Sequence, residues 1–223
     1  MIRSEPSGLA SQRSRPIARE GYPFILASAF ATATVAILGL YMLALFFLAV
    51  TLFVCFFFRD PERVIPEEEK AVVSPADGKV VEVGVVEGSD FAPEKMLKIG
   101  IFMSIFNVHV NRIPHNGTVS DVVYHPGKFF SANLDKASRD NERNAVSLEI
   151  GSGRRLIVVQ VAGLIARRII CKIGKGDRLS RGERFGMICF GSRLDVYFPA
   201  DSASAVSVGD KVLAGTSVLG HLS

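Results

Sequence analysis

The sequence predicts a mainly β (α+β) globular domain preceded by an N-terminal transmembrane helical hairpin. The helical part is indicated by charge, because none of the 26 Lys and Arg or 22 Asp and Glu residues falls within residues 21–58. The β part is indicated by the rest of the chain, where short β-branched runs alternate with Gly, Pro, Asp and Asn, as strands and turns do. The 165 residues that follow position 58 can bury a sizeable core without disulfides.

The apolar segment is too long for one straight transmembrane helix. A helix over residues 21–58 would measure about 57 Å, whereas the hydrocarbon core of a bilayer is about 30 Å thick. Gly39 divides the segment, which favours a membrane-inserted helical hairpin over residues 22–58. Basic residues flank both ends and place the globular domain on the cytoplasmic face of the cell membrane. A cleaved signal peptide and a single tilted span are the alternatives.

The rest of the chain divides by composition. Residues 1–21 predict a flexible basic tail, and residues 59–70, with Pro61 and Pro66, predict a polar linker. Residues 71–223 form the globular domain, in which only 129–143 look helical or irregular, and their polar content favours a loop. Its predicted strands are 71–73, 79–86, 96–102, 108–113, 119–124, 145–150, 156–162, 169–173, 187–190 and 194–198.

Composition also limits which classes of ligand the chain is expected to bind. After residue 58 the chain has 22 Lys and Arg against 20 Asp and Glu, with no Trp and no basic stripe, so no nucleic-acid surface is predicted. The three cysteines, Cys55, Cys171 and Cys189, form no CxxC motif. Their spacing argues against a disulfide framework and against a zinc site, and no metal is predicted.

A short repeat predicts internal symmetry. Gly-Asp-Arg-Leu-Ser-Arg-Gly at 176–182 and Gly-Asp-Lys-Val-Leu-Ala-Gly at 209–215 share the pattern G-D-x-aliphatic-x-x-G, 33 residues apart. Two matching turns indicate pseudo-symmetric hairpins, and the pattern is similar to that of the lipoyl-like barrel of carrier domains. Neither copy continues into the hairpin lysine that a carrier needs, so the repeat is interpreted as architecture.

Two polar positions are candidates for chemistry, each with a structural alternative. Asp77 lies in Ser-Pro-Ala-Asp-Gly-Lys at 74–79, where Asp-Gly is equally a hairpin-turn signal. His109 lies in a run of alternating apolar and polar residues at 106–114, which places Asn107, His109 and Asn111 on one polar face. A histidine between amides is an acid/base candidate, although it could equally be an ordinary surface residue.

The pair Gly191-Ser192 interrupts two strand-like runs and could be only a turn. A second interpretation is chemical, because glycine adopts unusual dihedral angles and leaves its carbonyl unshielded. Attack by the Ser192 hydroxyl on the Gly191 carbonyl would turn the peptide bond into an ester. Elimination would then split the chain and leave dehydroalanine, which loses ammonia on hydration and becomes an N-terminal pyruvoyl group.

Six segments in order resemble the short form of the phosphatidylserine decarboxylase family, and they cover most of residues 60–200. They are Ser-Pro-Ala-Asp-Gly-Lys at 74–79, Asn-Val-His-Val-Asn-Arg at 107–112, Tyr-His-Pro-Gly-Lys-Phe at 124–129, Leu-Asp-Lys-Ala-Ser at 134–138, Asn-Glu-Arg-Asn at 141–144 and Phe-Gly-Ser-Arg at 190–193. The resemblance implies a proenzyme that cleaves itself between Gly191 and Ser192 into a β chain, 1–191, and an α chain, 192–223. Residues 71–223 would then be a pyruvoyl-dependent decarboxylase domain.

The same resemblance implies the reaction and its residues. Phosphatidylserine would lose CO2 through a Schiff base with the pyruvoyl group on Ser192, giving phosphatidylethanolamine. His109 would return a proton to the carbanion, and Asp77 would support the base that activates Ser192. Long-form members carry a second histidine where this chain has Arg112, so that base is open: His109 could do both jobs, or His125 could help.

Residues for substrate binding, expected partners and two alternative functions complete the expectation. Arg112, His125 and Lys128 are the candidates for binding the phosphate or carboxylate of the substrate. The bilayer is an expected partner because the substrate carries two acyl chains, while association into a homo-oligomer is left open. A non-catalytic membrane-anchored lipoyl-like β domain is one alternative function. A pyruvoyl decarboxylase of a soluble amino acid is another, and the long apolar segment speaks against it.

Overall fold

The computed structural model describes residues 16–130, 140–164, 168–189 and 191–223. The described residues form two compact units, one that ends at Glu62 and one that runs from Arg63 to Ser223. Three predictions fall wholly or largely outside them: the flexible tail (residues 1–15 of 1–21), the loop at 129–143 (residues 131–139) and the motif at 134–138. The first residue of the motif at 190–193 also lies outside them.

Two apolar helices make up the first unit. A 3-10 turn, Arg19–Gly21, leads into α1 (Tyr22–Ile37), and α2 covers Tyr41–Phe57. The chain reverses between the helices, where Gly39 has a φ of +75° that favours glycine. The helices are antiparallel, because the Thr32 and Thr51 hydroxyls lie 3.2 Å apart and the Ala18 amide donates to the Phe58 carbonyl at 2.8 Å.

The helices expose apolar side chains along most of their length. No residue of α1 is buried, and α2 buries only Ala44 and Phe57. By length and composition one described helix, Arg19–Ile37, could cross a membrane, whereas Tyr41–Phe57 is apolar but shorter. This apolar surface indicates membrane association of the first unit.

The second unit is mainly β, which confirms the predicted class. All of its described strand pairs are antiparallel. The strands are β1 (Ala71–Val73), β2 (Gly78–Ser89), β3 (Ala92–Met103), β4 (Val110–Arg112), β5 (Gly117–His125), β6 (Arg143–Ile150), β7 (Arg154–Ala162), β8 (Ile169–Cys171), β9 (Arg178–Leu179), β10 (Arg184–Ile188), β11 (Ser192–Pro199), β12 (Ala203–Ser204), β13 (Lys211–Val212) and β14 (Val218–His221).

One large sheet organises this unit. Eight strands follow the order β13-β2-β3-β11-β7-β6-β5-β9 and curl into a half-barrel. Two three-stranded sheets, β4-β10-β8 and β1-β14-β12, complete the unit. The hairpin β2-β3 extends further than the predicted runs 79–86 and 96–102, because its pairing continues past the apolar stretch through polar residues to Ser89 and Ala92.

The two copies of the repeat make matching turns at opposite edges of the large sheet. In one copy the Gly176 amide donates to the Val119 carbonyl at 2.8 Å and the Val119 amide donates to Asp177 at 2.8 Å. In the other copy Gly209 and Asp210 make the same two bonds with Val80, each at 2.9 Å. The short strands β9 and β13 follow these turns. The likeness to lipoyl domains stays a prediction.

Strand β11 lies between β3 and β7 in the large sheet, and the residues on both of its faces are buried. Along it, Ser192, Leu194, Val196 and Phe198 share one face, and the three apolar residues among them belong to the main apolar core. The alternate residues Arg193, Asp195 and Tyr197 face the other way and are also buried. The side-chain period of two along a strand thus separates a mostly apolar face from a charged one.

Candidate active site

Ser192 is the first residue of β11 and is fully buried. It is paired with Met103 of β3 on one side and with Ala162 of β7 on the other. Its hydroxyl has no hydrogen-bond partner among the described residues. A buried hydroxyl without a partner costs about 1–3 kcal/mol, so such a group in a native fold calls for an explanation.

Gly191 supplies the backbone conformation before this serine. Its φ is +63°, in the left-handed region, and a Cβ added there would meet nothing within 4 Å. The glycine is therefore required by its dihedral angle rather than by crowding. The carbonyl carbon of Gly191 lies between two residues without bulky side chains, because Gly191 has no side chain and that of Ser192 is small.

His109 lies in the segment that precedes β4 and is fully buried. The predicted strand 108–113 is shorter in the structure, because regular pairing begins only at Val110. The Asn111 side-chain amide donates to the His109 carbonyl at 3.3 Å and lies 3.9 Å from the sulfur of Met103. Because Met103 is the strand partner of Ser192, Asn111 contacts both the His109 segment and the neighbour of the serine.

A chain of three buried amides, which we call the amide chain, runs from the large sheet to this segment. Asn144 donates to the Gln160 side-chain oxygen at 3.0 Å, and Gln160 donates to the Asn111 side-chain oxygen at 2.9 Å. Gln160 also donates to the Ile170 carbonyl at 3.3 Å. Sequence reasoning missed Gln160, although a single amide within the apolar run 156–162 is the signal that could have found it.

Asp77 is buried in the turn before β2. Both of its oxygens accept hydrogen bonds from Arg63, at 3.0 and 2.8 Å, and one also accepts the Ala214 backbone amide at 2.8 Å. Arg63 lies in the predicted linker, and its pairing with Asp77 was not predicted from the sequence. The described contacts thus tie Asp77 to a guanidinium and to the second repeat turn.

Arg112 is buried and bonded to carbonyls. Its side chain donates to the Gly182 carbonyl at 2.9 Å, and its backbone amide donates to the Pro75 carbonyl at 2.9 Å. The second bond joins the strand that follows His109 to the turn that carries Asp77. The structure therefore brings these two candidate segments together through Arg112.

His125 lies on the far side of the sheet from the serine. Register pairs His125 with Arg143, Arg143 with Val161 and Val161 with Arg193, so all four share one face, opposite to Ser192. Its ring packs edge-on against Phe91 with centroids 5.6 Å apart. This placement argues against the predicted help of His125 in activating the serine, because paired residues in antiparallel strands point to the same face.

Lys128 is exposed at the end of the sheet where Ser192 lies. Its bridge to Asn141 positions it, and the Asn141 side chain donates to the Ala162 carbonyl at 2.7 Å. Ala162 is in turn paired with Ser192. Lys128 is thus linked to the serine through Asn141 and Ala162, and it stays a candidate for binding an anion.

Behind the serine, on the opposite face, lies an ion cluster that sequence reasoning missed, in which Arg193, Asp195 and Lys98 are buried and Glu82 is half-buried. Arg193 donates to Asp195 at 2.5 Å and to Glu82, and Lys98 lies 2.8 Å from Glu82 and 3.5 Å from Asp195. Burial alone raises the pKa of Glu82, but Lys98 and Arg193 outweigh it and hold that pKa below its usual 4.5. Burial, with the charges of Asp195 and Glu82, raises the pKa of Tyr197.

Comparison with known proteins agrees with the motifs. Residues 50–220 match the family model described as phosphatidylserine decarboxylase. The chain is 53% identical over 210 residues to the phosphatidylserine decarboxylase proenzyme of Geotalea uraniireducens, covering 94% of this chain and 98% of the relative. It is 51% identical over 212 residues to the proenzyme of Geobacter metallireducens, covering 93% and 97%. These matches confirm the resemblance seen in the sequence, and the chain belongs to the phosphatidylserine decarboxylase family.

Proposed function

We propose that the chain is a self-processing decarboxylase that converts phosphatidylserine to phosphatidylethanolamine and CO2. The observation that carries the proposal is the buried, unpartnered hydroxyl of Ser192 directly after a glycine in the left-handed conformation. The described residues around it offer this hydroxyl no structural hydrogen bond, so a chemical role accounts for it. The names of the relatives supply the substrate.

Self-cleavage begins with attack of the Ser192 Oγ on the carbonyl carbon of Gly191. The Oγ–C bond forms, the peptide C–N bond breaks, and the nitrogen of Ser192 becomes a free amine. Loss of the Ser192 Cα proton then breaks the Cβ–Oγ bond and releases the carboxylate of Gly191. Addition of water and loss of ammonia leave a ketone on the α chain, residues 192–223, while residues 1–191 form the β chain.

The residues present fit that terminal group. A pyruvoyl group is uncharged and carries no amine, so it suits the fully buried first position of β11. When formed, it supplies an electron sink for the pair that is left when the substrate loses CO2. Pairing of β11 with both β3 and β7 holds the new chain end in place.

His109 is the proposed proton donor. It is buried, its carbonyl is held by Asn111, and Asn111 also contacts the strand partner of Ser192. In this role it returns a proton to the substrate carbon that has lost its carboxylate. Asp77 is proposed to support self-cleavage from the neighbouring turn, and Lys128 to bind the substrate phosphate or carboxylate.

We also propose that α1 and α2 are inserted in the bilayer as a hairpin, with the β unit at the cytoplasmic face. The exposed apolar surface of both helices supports insertion. Arg19 and Arg59, at the two ends of the hairpin, support a cytoplasmic location of both ends by the positive-inside rule.

Mass spectrometry of the purified full chain tests the proposal together with an assay of detergent-dispersed phosphatidylserine. The wild type is expected as two fragments, with a pyruvoyl end on the α chain, whereas Ser192→Ala stays whole and inactive. Ser207→Ala, an exposed serine of the same α chain, is the control and should cut and react normally. An active preparation in which the chain is whole, or in which the α chain starts with a free serine amine, would refute the mechanism.

A second variant separates the two steps. His109→Ala is expected to cut itself yet lose decarboxylation if its task is proton return alone. Full activity of this variant on lipid would remove His109 from the reaction. Free serine, assayed in parallel, distinguishes a lipid decarboxylase from one that acts on a soluble amino acid.

A further inference from the structure

The position of Ser192 limits how a substrate can reach it. Strands β3 and β7 cover both edges of β11, and the face that carries Ser192 packs in the main apolar core. The opposite face holds the ion cluster. The direction left for a head group is along the strand axis, beyond the first residue of β11.

Two loops with exposed apolar residues begin at this end of the sheet. Strand β3 ends at Met103 and continues into Ile105 and Phe106, and β7 ends at Ala162 and continues into Leu164. Met103 and Ala162 are the two residues paired with Ser192, so both loops start one residue pair away from it. Phe106 is 63% exposed and Leu164 62% exposed.

The first of these loops is a formed turn. The Asn107 side-chain oxygen accepts hydrogen bonds from the Ser104 backbone amide at 2.9 Å and from the Ser104 hydroxyl at 2.8 Å. The backbone amide of Asn107 donates to the Ser104 carbonyl at 3.0 Å. These bonds hold the turn that presents Phe106 toward solvent. A large aromatic side chain on a fixed turn beside a reactive site is typical of a recognition surface.

We propose that Ile105, Phe106 and Leu164 form an apolar rim that enters the acyl region of the bilayer while a lipid head group reaches Ser192. The inference rests on the proposed function, because a phosphatidylserine head group cannot reach the serine without bringing its acyl chains to this end of the sheet. The occupant is a bilayer rather than a protein, since the same chain carries two helices whose apolar side chains are exposed. Interfacial aromatic and leucine side chains gain free energy from such burial.

A fluorescence experiment tests the rim without using activity. The chain contains no Trp, so Phe106→Trp in the full chain carries a single reporter. In phosphatidylserine vesicles with brominated acyl chains, its emission should shift to the blue and be quenched. Val85→Trp is the control, because Val85 is 49% exposed on the same sheet but pairs with Leu97, toward the other end of β11. Equal quenching of the two variants, or none at Phe106→Trp, would overturn the inference.

An activity experiment separates the rim from the reaction. The double variant Phe106→Ser and Leu164→Ser should decarboxylate vesicle phosphatidylserine about tenfold more slowly or worse, since it loses the burial of two apolar side chains. It should still cut itself and should act normally on short-chain phosphatidylserine dissolved as monomers. Val85→Ser should match the wild type on both substrates.

These experiments distinguish a failure of the apolar rim from a failure of the proposed function. Unchanged vesicle activity of the double variant would overturn the rim and leave the decarboxylase intact. A wild type that is inactive on both lipid forms would refute the function, and the quenching result would still decide whether the rim enters a bilayer. Self-cleavage of each variant reports that it has folded.

Discussion

The two faces of the central strands bury polar groups in opposite ways. On the face of Ser192, the amide chain of Asn144, Gln160 and Asn111 is neutral, and each amide is bonded to the next. On the other face, the ion cluster pairs two cations with two anions, including Arg193 directly after the serine. Asn144 and Gln160 lie on the Ser192 face of the large sheet and Asn111 joins them from β4, whereas the ion cluster lies on the opposite face of the large sheet.

This difference between neutral amides and paired charges matches the separate roles that we expect of the two faces. A neutral amide chain positions a segment by directed hydrogen bonds and adds no charge beside the proposed proton donor, His109. The ion cluster is balanced in charge. Its ion pairs fix the position of Arg193, the second residue of β11, close to the bond that self-cleavage would break. We therefore expect the charged face to contribute mainly to stability and the amide face mainly to the geometry around His109.

The largest effect is expected for Arg193→Met. This change removes one cation of the cluster and leaves Asp195 buried with less compensation, so the free energy of unfolding should fall by about 3–5 kcal/mol. Urea unfolding followed by circular dichroism in detergent measures it. The stability of this variant and of the three that follow, Gln160→Met, Glu82→Gln and Arg155→Gln, is compared in the Ser192→Ala chain, which is expected to stay uncut. A loss below that of Gln160→Met would contradict the ranking of the two faces.

A smaller loss is expected for Gln160→Met, which keeps the volume and removes the middle of the amide chain. The Asn111 oxygen and the Asn144 amide would each lose a bond, so the free energy of unfolding should fall by about 2–3 kcal/mol. In a chain with native Ser192, decarboxylation should fall more than self-cleavage, because the support of the His109 segment is weakened. Unchanged stability would show that the amides are replaceable.

Acid should reduce the contribution of the ion cluster to the free energy of unfolding and leave the contribution of the amide chain unchanged. The folded pKa of Glu82 lies below its ordinary 4.5, so its contribution to stability is complete above that value and is lost as the pH falls through the folded pKa. Urea midpoints of the parent and of Glu82→Gln should therefore differ at neutral pH and converge in acid below 4.5. A constant difference across this range would mean that Glu82 does not act through its charge.

The smallest effect is expected for Arg155→Gln, the exposed counterpart of Arg193. Arg155 binds both oxygens of Glu94 at 2.7 Å, but the two side chains are 44% and 41% exposed. Water screens such a pair, so the change in the free energy of unfolding should stay below about 1 kcal/mol. A loss comparable to that of Arg193→Met would show that burial is not what distinguishes the two arginines.

Much of the site could be predicted because its signals are local. Gly191 and Ser192 are adjacent in the chain, and the chemistry considered for them needs only that adjacency and the freedom of glycine. The Gly-Asp repeat likewise marks two turns that make matching bonds. Gln160 and Arg193 were missed because their partners lie on other strands, and the predicted role of His125 ignored the face on which register places it.

The sequence by itself determined the mainly β class, the apolar helical segment and the family, because each follows from composition, periodicity or adjacent residues. Only the tertiary structure decided that Ser192 is buried between β3 and β7, that Asp77 is bonded to Arg63, and that charges and amides occupy opposite faces of one sheet. The physical reason is register: antiparallel pairing sets which distant residues share a face, and a shift of one residue would exchange the two faces.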